Sequence, residues 1–265
     1  NGNLLAETYL AGDAELNQAI EKALLVQGSL SSMPVWEKQA VLKNISSQLA
    51  LQKEQFAQLI TLESGKPLRY SLAEVDRSVQ TFAIAAEECK RLPAEYVSLD
   101  WTAAGTGKEG IVKYFPSGIV AGISPFNFPL NLAVHKIAPA IAAGCPIILK
   151  PSSLTPLSTL MLSKIIHQSG LPAGALSILP MDRVTGNKLV SDSRISVLSF
   201  TGSPEVGWKM KQEAGKKKVV LELGGNAGVI ISRGTDISVA VNKCVAGAFA
   251  YSGQVCIHTQ RIYVI

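Results

Sequence analysis

Residues 118–214 alternate short apolar runs with amphipathic segments, and this alternation limits the folds that the chain can adopt. Strands are predicted at 119–123, 146–150, 175–179 and 195–201, and helices at 130–143, 156–168, 184–190 and 204–214. Strands that are apolar on both sides need helices on both faces of their sheet. We therefore predict an α/β protein with a doubly wound parallel sheet, which suits a chain that is 47% hydrophobic and 17% charged.

The segments before the sheet are predicted to be mostly helical. The first and last residues of the chain indicate that it is incomplete. Amphipathic helices are predicted at 13–27, capped by Asp13, and at 35–51, 53–63 and 71–91. Residues 96–101 and 110–114 predict a hairpin that is either an oligomer contact or a simple surface hairpin. The chain opens on the turn signal Asn1-Gly2-Asn3 and closes on the apolar run 261–265, which has nothing to pair against. We therefore predict a fragment of a longer protein.

Charge and cysteine content argue against several classes of protein. The net charge of +5 is spread along the chain apart from Lys216-Lys217-Lys218, and no aromatic interleaving accompanies that cluster, so nucleic-acid binding is not predicted. The four cysteines lack metal-ligand spacing, which predicts no metal site and a reduced, cytoplasmic location. No signal peptide or apolar stretch of about twenty residues is visible, so neither secretion nor a membrane span is predicted.

Cys256 and Glu222 are the candidates for covalent chemistry on a carbonyl group. A thiolate is a strong nucleophile, and a carboxylate in an apolar surrounding can act as a base. Asn127, in the loop after the strand 119–123, can donate its amide to an oxyanion. Each residue also has a structural interpretation: a buried thiol, a strand-end glutamate in a salt bridge, and a turn asparagine. Cys145 and Cys244 are better explained as structural thiols.

Polar residues at the predicted strand ends are candidates for binding a nucleotide, because ligands of such sheets bind beyond the carboxyl ends of the strands. Gly202 allows close approach of a ligand, and Ser203 and Pro204 suit the start of a helix whose free N–H groups could face a phosphate. An ordinary capped helix explains the same pattern. Lys150 could hold ribose hydroxyls or a phosphate, and the neutral Ser152 and Ser153 beside it would tolerate a 2′-phosphate.

Together these segments closely resemble the aldehyde dehydrogenase superfamily. The matching motifs occur in the family's order and extend over nearly the whole chain: Ser124-Pro125-Phe126-Asn127-Phe128-Pro129, Lys150-Pro151-Ser152, Phe200-Thr201-Gly202-Ser203 with Glu205-Val206-Gly207, Glu222-Leu223-Gly224-Gly225, and Gly253-Gln254-Val255-Cys256. The resemblance implies that Cys256 is the nucleophile, Glu222 the general base, and Asn127 an oxyanion donor together with the Cys256 N–H. It implies the following cofactor-binding residues: Ser124, Pro125, Phe126, Lys150, Ser152, Ser153, Gly202, Ser203, Val206, Leu223 and Gly224.

The resemblance also implies the organisation and the reaction. Residues 1–223 would form a Rossmann-like NAD(P)-binding domain with an oligomerisation-type hairpin at 97–116, and 224–265 would begin a truncated catalytic domain. The implied reaction is oxidation of a small aldehyde to an acid with NAD or NADP, with NADP favoured, in a homo-oligomeric parent, either a dimer or a tetramer. Two alternatives stay open, a nucleotide-binding fragment without catalysis and an enzyme that transfers the acyl group to coenzyme A. The fragment alone is expected to be inactive.

Overall fold

The computed structural model describes residues 4–265, so the turn signal at Asn1–Asn3 lies outside the described residues. The amino-terminal helices are α1 (Asp13–Ser32), α2 (Val35–Leu51), α3 (Lys53–Ser64) and α4 (Leu68–Glu88). Their existence is confirmed, but Asp13 is not a cap. Gly12 holds that position, and its N–H donates to Oε2 of Glu15 over 2.8 Å. Helix α4 begins three residues earlier than predicted because Pro67, which suits a helix start, directly precedes it.

Strands β1 (Ala94–Ser98) and β2 (Glu109–Lys113) form the predicted hairpin, each shifted slightly toward the amino terminus. They pair with each other antiparallel, from Ala94 opposite Lys113 to Ser98 opposite Glu109. This two-stranded sheet is separate from the main sheet. Tyr96 and Ile111 on it are largely exposed. An exposed pair of strands with apolar side chains fits either interpretation of the hairpin.

The central layer is a parallel sheet, as predicted, but it has five strands, and the fifth (Lys218–Leu223) was not among the predicted ones. Its elements follow in chain order: β3 (Ile119–Ile123), α5 (Asn131–Ala143), β4 (Ile147–Lys150), α6 (Leu157–His167), β5 (Leu176–Ile178), α7 (Arg183–Ser191), β6 (Ile195–Gly202), α8 (Pro204–Glu213) and β7 (Lys218–Leu223). The strand order is β5-β4-β3-β6-β7. The order therefore reverses direction at β3, and such a switch point is where ligands bind in open α/β sheets.

Helices cover both faces of this sheet, which explains why β3 is buried along its whole length. Successive side chains of a strand point to opposite faces. Val120 accordingly joins a core with α2 to α6, whereas Ile119 and Ala121 join a second core with α1 and α7. The amphipathic amino-terminal helices thus pack against the sheet and against the helices that connect its strands, and the predicted doubly wound architecture is confirmed.

Beyond β7 the chain forms β8 (Ala227–Ile231), α9 (Ile237–Phe249) and β9 (Thr259–Val264). The expectation that residues 261–265 have nothing to pair against was wrong, because β9 pairs parallel with β8, from Ala227 opposite Thr259 to Ile231 opposite Val264. A parallel pair needs a long crossover, here α9, so the two strands are far apart in sequence. Over residues 4–265, every helix is too short or too polar to cross a bilayer.

Candidate active site

The carboxyl ends of four sheet strands bring the predicted site segments to one edge. The register places Ile123 opposite both Lys150 and Phe200, and Gly202 opposite Leu223. The loops that follow β3, β4, β6 and β7 therefore leave the sheet side by side. This confirms the prediction that these strand ends share one edge.

Asn127 contacts the loop that carries Cys256. Its Nδ2 donates to the backbone carbonyl of Gln254 over 2.8 Å, across 127 positions of sequence. Because the Gln254 carbonyl is an acceptor, the NH2 end of the Asn127 amide faces the Cys256 loop. The amide carries two N–H groups, so one can bind Gln254 while the other serves a ligand. Its Oδ1 is buried and has no hydrogen-bond partner among the described residues. Asn127 and the Cys256 loop are thus held together.

The loop before Cys256 has an unusual backbone. Tyr251 and Ser252 have φ values of 48° and 54°, in the left-handed region, and Gly253 continues the run at 74°. Such conformations have a cost in residues other than glycine and persist where surrounding contacts enforce them. Cys256 follows in a turn and is exposed, whereas Cys89, Cys145 and Cys244 are buried. The structural interpretation of Cys145 and Cys244 agrees with their burial.

The turn after β7 packs against the backbone of Cys256. A Cβ atom on Gly225 would lie 3.3 Å from the Cys256 carbonyl oxygen, and the Gly225 carbonyl accepts a hydrogen bond of 2.6 Å from Nε2 of Gln260. Glu222 itself lies within β7, opposite Thr201. The expectation of an apolar surrounding for this carboxylate was wrong. Along β7 exposure alternates, and Glu222 stands at an exposed position. No hydrogen bond joins Glu222 to Cys256 in residues 4–265.

Sequence reasoning missed Lys136, a buried cation close to the end of β6. Its Nζ donates to Oγ1 of Thr201 over 2.7 Å and to Oγ of Ser199 over 3.3 Å. Burial lowers the pKa of Lys136 to about 8, and the charge of Glu222 opposes that shift. The sequence feature that could have identified Lys136 is its position as a lysine in the otherwise apolar face of α5. Glu222 and Lys136 thus lie on the same side of the sheet, since Lys136 donates to Thr201, the residue opposite Glu222.

A cavity of about 360 Å³ lies between α7, α8 and the ends of β3, β4 and β6. Of the predicted cofactor-binding residues, Lys150, Ser153 and Val206 line it. Arg183 lines it too and was missed, because it falls outside the strand ends on which the prediction concentrated. Burial lowers the pKa of Lys150, and the carboxylate of Asp182 opposes this. The cavity thus presents both cations (Lys150, Arg183, Lys209) and carboxylates (Asp182, Glu205, Glu213), together with the Ser153 hydroxyl, beyond the strand ends.

The other predicted cofactor-binding residues do not line this cavity. The hydroxyl of Ser203 accepts from the Val206 N–H over 3.5 Å and so caps α8, and Ser152 accepts from Leu154 in a local turn. Gly202 is required by protein packing, since a Cβ there would lie 2.4 Å from the Phe200 ring. The remaining members are the buried Ser124, whose Oγ has no partner in residues 4–265, and Pro125, Phe126, Leu223 and Gly224.

Comparison with known proteins identifies the family. The model described as "Aldehyde dehydrogenase family" matches residues 1–265. The chain belongs to the aldehyde dehydrogenase family. A curated lactaldehyde dehydrogenase of this family, from Methanococcus aeolicus, is 39% identical over 255 residues, which are 94% of this chain and 54% of the relative. The chain spans about half the length of the curated relatives it matches.

Solved aldehyde dehydrogenase structures have the same fold. Aldehyde dehydrogenase 21 from Physcomitrella patens, in complex with the reaction product succinate, superposes with a TM-score of 0.96 at 45% identity, covering 99% of this chain and 55% of that chain. Glyceraldehyde-3-phosphate dehydrogenase from Methanocaldococcus jannaschii, complexed with NADP, gives 0.89 at 33% identity, covering 99% and 57%. The α/β architecture is therefore that of the aldehyde dehydrogenase family, with its Rossmann-like domain.

Proposed function

We propose that the protein containing this chain oxidises a small aldehyde to a carboxylic acid with NAD or NADP. The observation that carries this proposal is the hydrogen bond of Asn127 to the carbonyl of Gln254, two positions before Cys256. It holds an amide donor beside the one exposed thiol of residues 4–265. Nucleophile and donor are what attack on a carbonyl requires.

The proposed chemistry begins with the Cys256 thiolate, whose sulfur forms a bond to the aldehyde carbon. The carbonyl oxygen becomes an oxyanion, which accepts hydrogen bonds from the second Nδ2 N–H of Asn127 and from the Cys256 N–H. Donors that are already in place stabilise this charge without reorganisation. Loss of hydride from the thiohemiacetal carbon leaves a thioester. Glu222 then takes a proton from water as the water attacks, and the acid leaves from the sulfur of Cys256.

The cavity at the strand ends suits the adenosine end of a dinucleotide. It offers the Lys150 ammonium and the Ser153 hydroxyl, and the α8 amino terminus with the exposed Val206 lies at its border. A helix amino terminus favours phosphate because its first N–H groups lack partners within the helix. When bound, NAD(P) supplies the acceptor for the hydride. The residues of this chain bind its adenosine end and set its orientation.

A preference for NADP is supported by a neutral residue and two of the cations in the lining of the cavity, which three carboxylates line as well. Ser153 stands where an acidic residue would repel a 2′-phosphate, and Lys150 and Arg183 line the same space. The NADP complex of the relative from Methanocaldococcus jannaschii supports the same choice.

Ser153→Glu should reverse the cofactor preference. A carboxylate there would repel the 2′-phosphate and accept hydrogen bonds from the free ribose hydroxyl, so the ratio of kcat/KM for NADP to that for NAD should fall about 100-fold. Steady-state kinetics with both cofactors measure the ratio. Ser31→Glu, at an exposed position of α1 that does not line the cavity, is the matched control and should leave it unchanged. An unaltered ratio in Ser153→Glu would place the 2′-phosphate elsewhere.

Asn127→Ala tests the proposed function directly. Removing the oxyanion donor should lower the single-turnover rate of thioester formation about 100-fold or more, while Cys256 stays alkylatable. Rapid-quench measurements of reduced cofactor with the full-length protein follow this rate. Asn44→Ala, at an exposed position of α2, is the matched control. An Asn127→Ala enzyme that forms thioester at the normal rate would remove the amide from the mechanism.

The proposed organisation assigns residues 1–223 to cofactor binding and 224–265 to the start of a catalytic domain. The separate pairing of β8 with β9 supports a boundary after β7. The hairpin of β1 and β2, on which Tyr96 and Ile111 are exposed, is proposed as a contact between copies in a homo-oligomer. A cytoplasmic location stays a prediction from cysteine usage.

A further inference from the structure

Lys66 and Glu74 form a fully buried ion pair that the proposed chemistry does not use. Lys66 follows the turn at the end of α3, and Glu74 lies in the first half of α4. Both side chains have 0% exposure, and Nζ of Lys66 is hydrogen-bonded to Oε2 of Glu74. Burying two charges has a desolvation cost that their attraction often fails to recover, so such a pair is weak evidence for stability alone.

Glu74 is bonded to the start of α5. Its Oε1 accepts from the backbone N–H groups of Leu130 and Asn131, over 3.0 and 3.1 Å. These are unsatisfied donors at a helix amino terminus, where a carboxylate is also favoured by the helix dipole. Asn127 lies only three residues before Leu130. The Glu74 carboxylate therefore fixes the point at which the Asn127 loop enters α5.

Lys66 is in contact with both loops of the site. Its Nζ lies 3.9 Å from the ring centroid of Phe128 and 4.4 Å from that of Tyr251. The two rings meet edge to face, with centroids 5.9 Å apart and planes at 68°. Phe128 directly follows Asn127, and Tyr251 begins the left-handed run that leads to Cys256. A buried ammonium against two aromatic faces is a favourable contact. It is also a reason why the strained backbone at Tyr251 persists.

We propose that Lys66 and Glu74 are positioning residues that hold the Asn127 loop and the Cys256 loop in register with each other. Neither residue touches a substrate in this proposal, which rests on the proposed function. The pair acts through Phe128, Tyr251 and the first turn of α5. Its effect should fall on thiol attack and oxyanion binding, because a shift of about 1 Å at a reacting group can cost on the order of 100-fold in rate. Cofactor affinity should be unaffected, since the cavity lies among α7 and α8 on the other face of the sheet.

The test variant is the double substitution Lys66→Met and Glu74→Gln in the full-length protein. Methionine keeps an unbranched apolar stem, and glutamine keeps an oxygen that can accept from Leu130 and Asn131, so both charges go while the shape stays similar. The matched control is Lys43→Met with Glu87→Gln, which removes an ion pair that is exposed at 57% and 46%. The double variant should form thioester about ten-fold or more slowly, with the cofactor Kd within about two-fold of wild type.

Amide hydrogen exchange provides a second measurement that does not depend on activity. Residues 127–131 and 250–256 should both exchange faster in the double variant and keep their normal protection in the control. Tyr251→Leu leaves the buried pair intact and so carries the test if the double variant fails to fold. It should slow thioester formation, whereas Tyr251→Phe should not. Adding Tyr251→Leu to the double variant should have little further effect, because the Lys66→Met substitution has already removed the contact between Lys66 and the Tyr251 ring.

Each result decides one proposal. Unchanged exchange in both segments overturns the positioning role, as does normal thioester formation in a double variant whose two segments have lost protection. Equal effects of Tyr251→Phe and Tyr251→Leu overturn the role of the aromatic contact. A folded wild-type protein that oxidises no aldehyde with either cofactor overturns the proposed function instead, and the exchange experiment still decides whether the pair couples the two loops.

Discussion

Replacing Cys256 by alanine should lower aldehyde oxidation by about four orders of magnitude or more, because covalent catalysis then has no nucleophile. The effect should fall on kcat, with cofactor binding retained, since the cavity lies outside the Cys256 loop. Stopped-flow absorbance of reduced cofactor in the full-length protein measures the loss, and fluorescence titration measures cofactor affinity.

The other cysteines offer an internal control for this result. Cys244→Ala should keep activity because that thiol is buried and belongs to α9, not to the Cys256 loop. Iodoacetamide should add one group to the folded chain, at Cys256, since Cys89, Cys145 and Cys244 are buried. Peptide mass spectrometry locates the adduct. Steady oxidation by Cys256→Ala would require a different nucleophile, and selective labelling at another cysteine would contradict the structure of this loop.

Replacing Glu222 by glutamine should separate the two halves of the reaction. Glutamine has the same shape but cannot take a proton from water, so thioester should form once and then persist. Steady-state acid formation should fall about 100-fold to 10,000-fold, while a burst of reduced cofactor remains. Rapid mixing records the burst, and intact mass spectrometry detects the acyl group on Cys256.

This variant also separates hydrolysis from transfer to coenzyme A. Under the proposed hydrolysis, adding coenzyme A should not restore turnover of Glu222→Gln. Glu54→Gln, an exposed position on α3, is the matched control and should behave as wild type. Undiminished acid release by Glu222→Gln would remove Glu222 from the mechanism, and rapid acyl transfer to coenzyme A would favour the acyltransferase alternative.

The main sheet could be predicted from sequence because its signals are local. Each strand from β3 to β6 is a short apolar run next to an amphipathic helix, and the observed bounds differ from the predicted ones by at most one residue. The pairing of β9 with β8 could not be predicted, since a parallel partner lies a whole helix away and leaves no local pattern. The apolar end of the chain was therefore interpreted wrongly as unpaired.

The chemical groups of the site were easier to predict than their surroundings. Cys256 and Asn127 follow from residue type and motif, and they lie on neighbouring loops. The exposure of Glu222 did not follow, because apolar neighbours along a strand point to the opposite face and do not bury the carboxylate. Lys66 and Glu74 were missed because their contacts depend on how α3, α4 and two distant loops pack together.

The sheet also sets the spacing between the segments that carry Asn127 and Glu222. Asn127 follows β3 and Glu222 stands on β7, with only β6 between these strands. Neighbouring strands lie about 4.8 Å apart, so backbone spacing places the bases of the two segments about 10 Å from each other. A one-residue slip of β7 against β6 would turn Glu222 to the opposite face. Insertions in the connecting helices are therefore compatible with an unchanged distance between these two groups, whereas insertions within the paired strands are not.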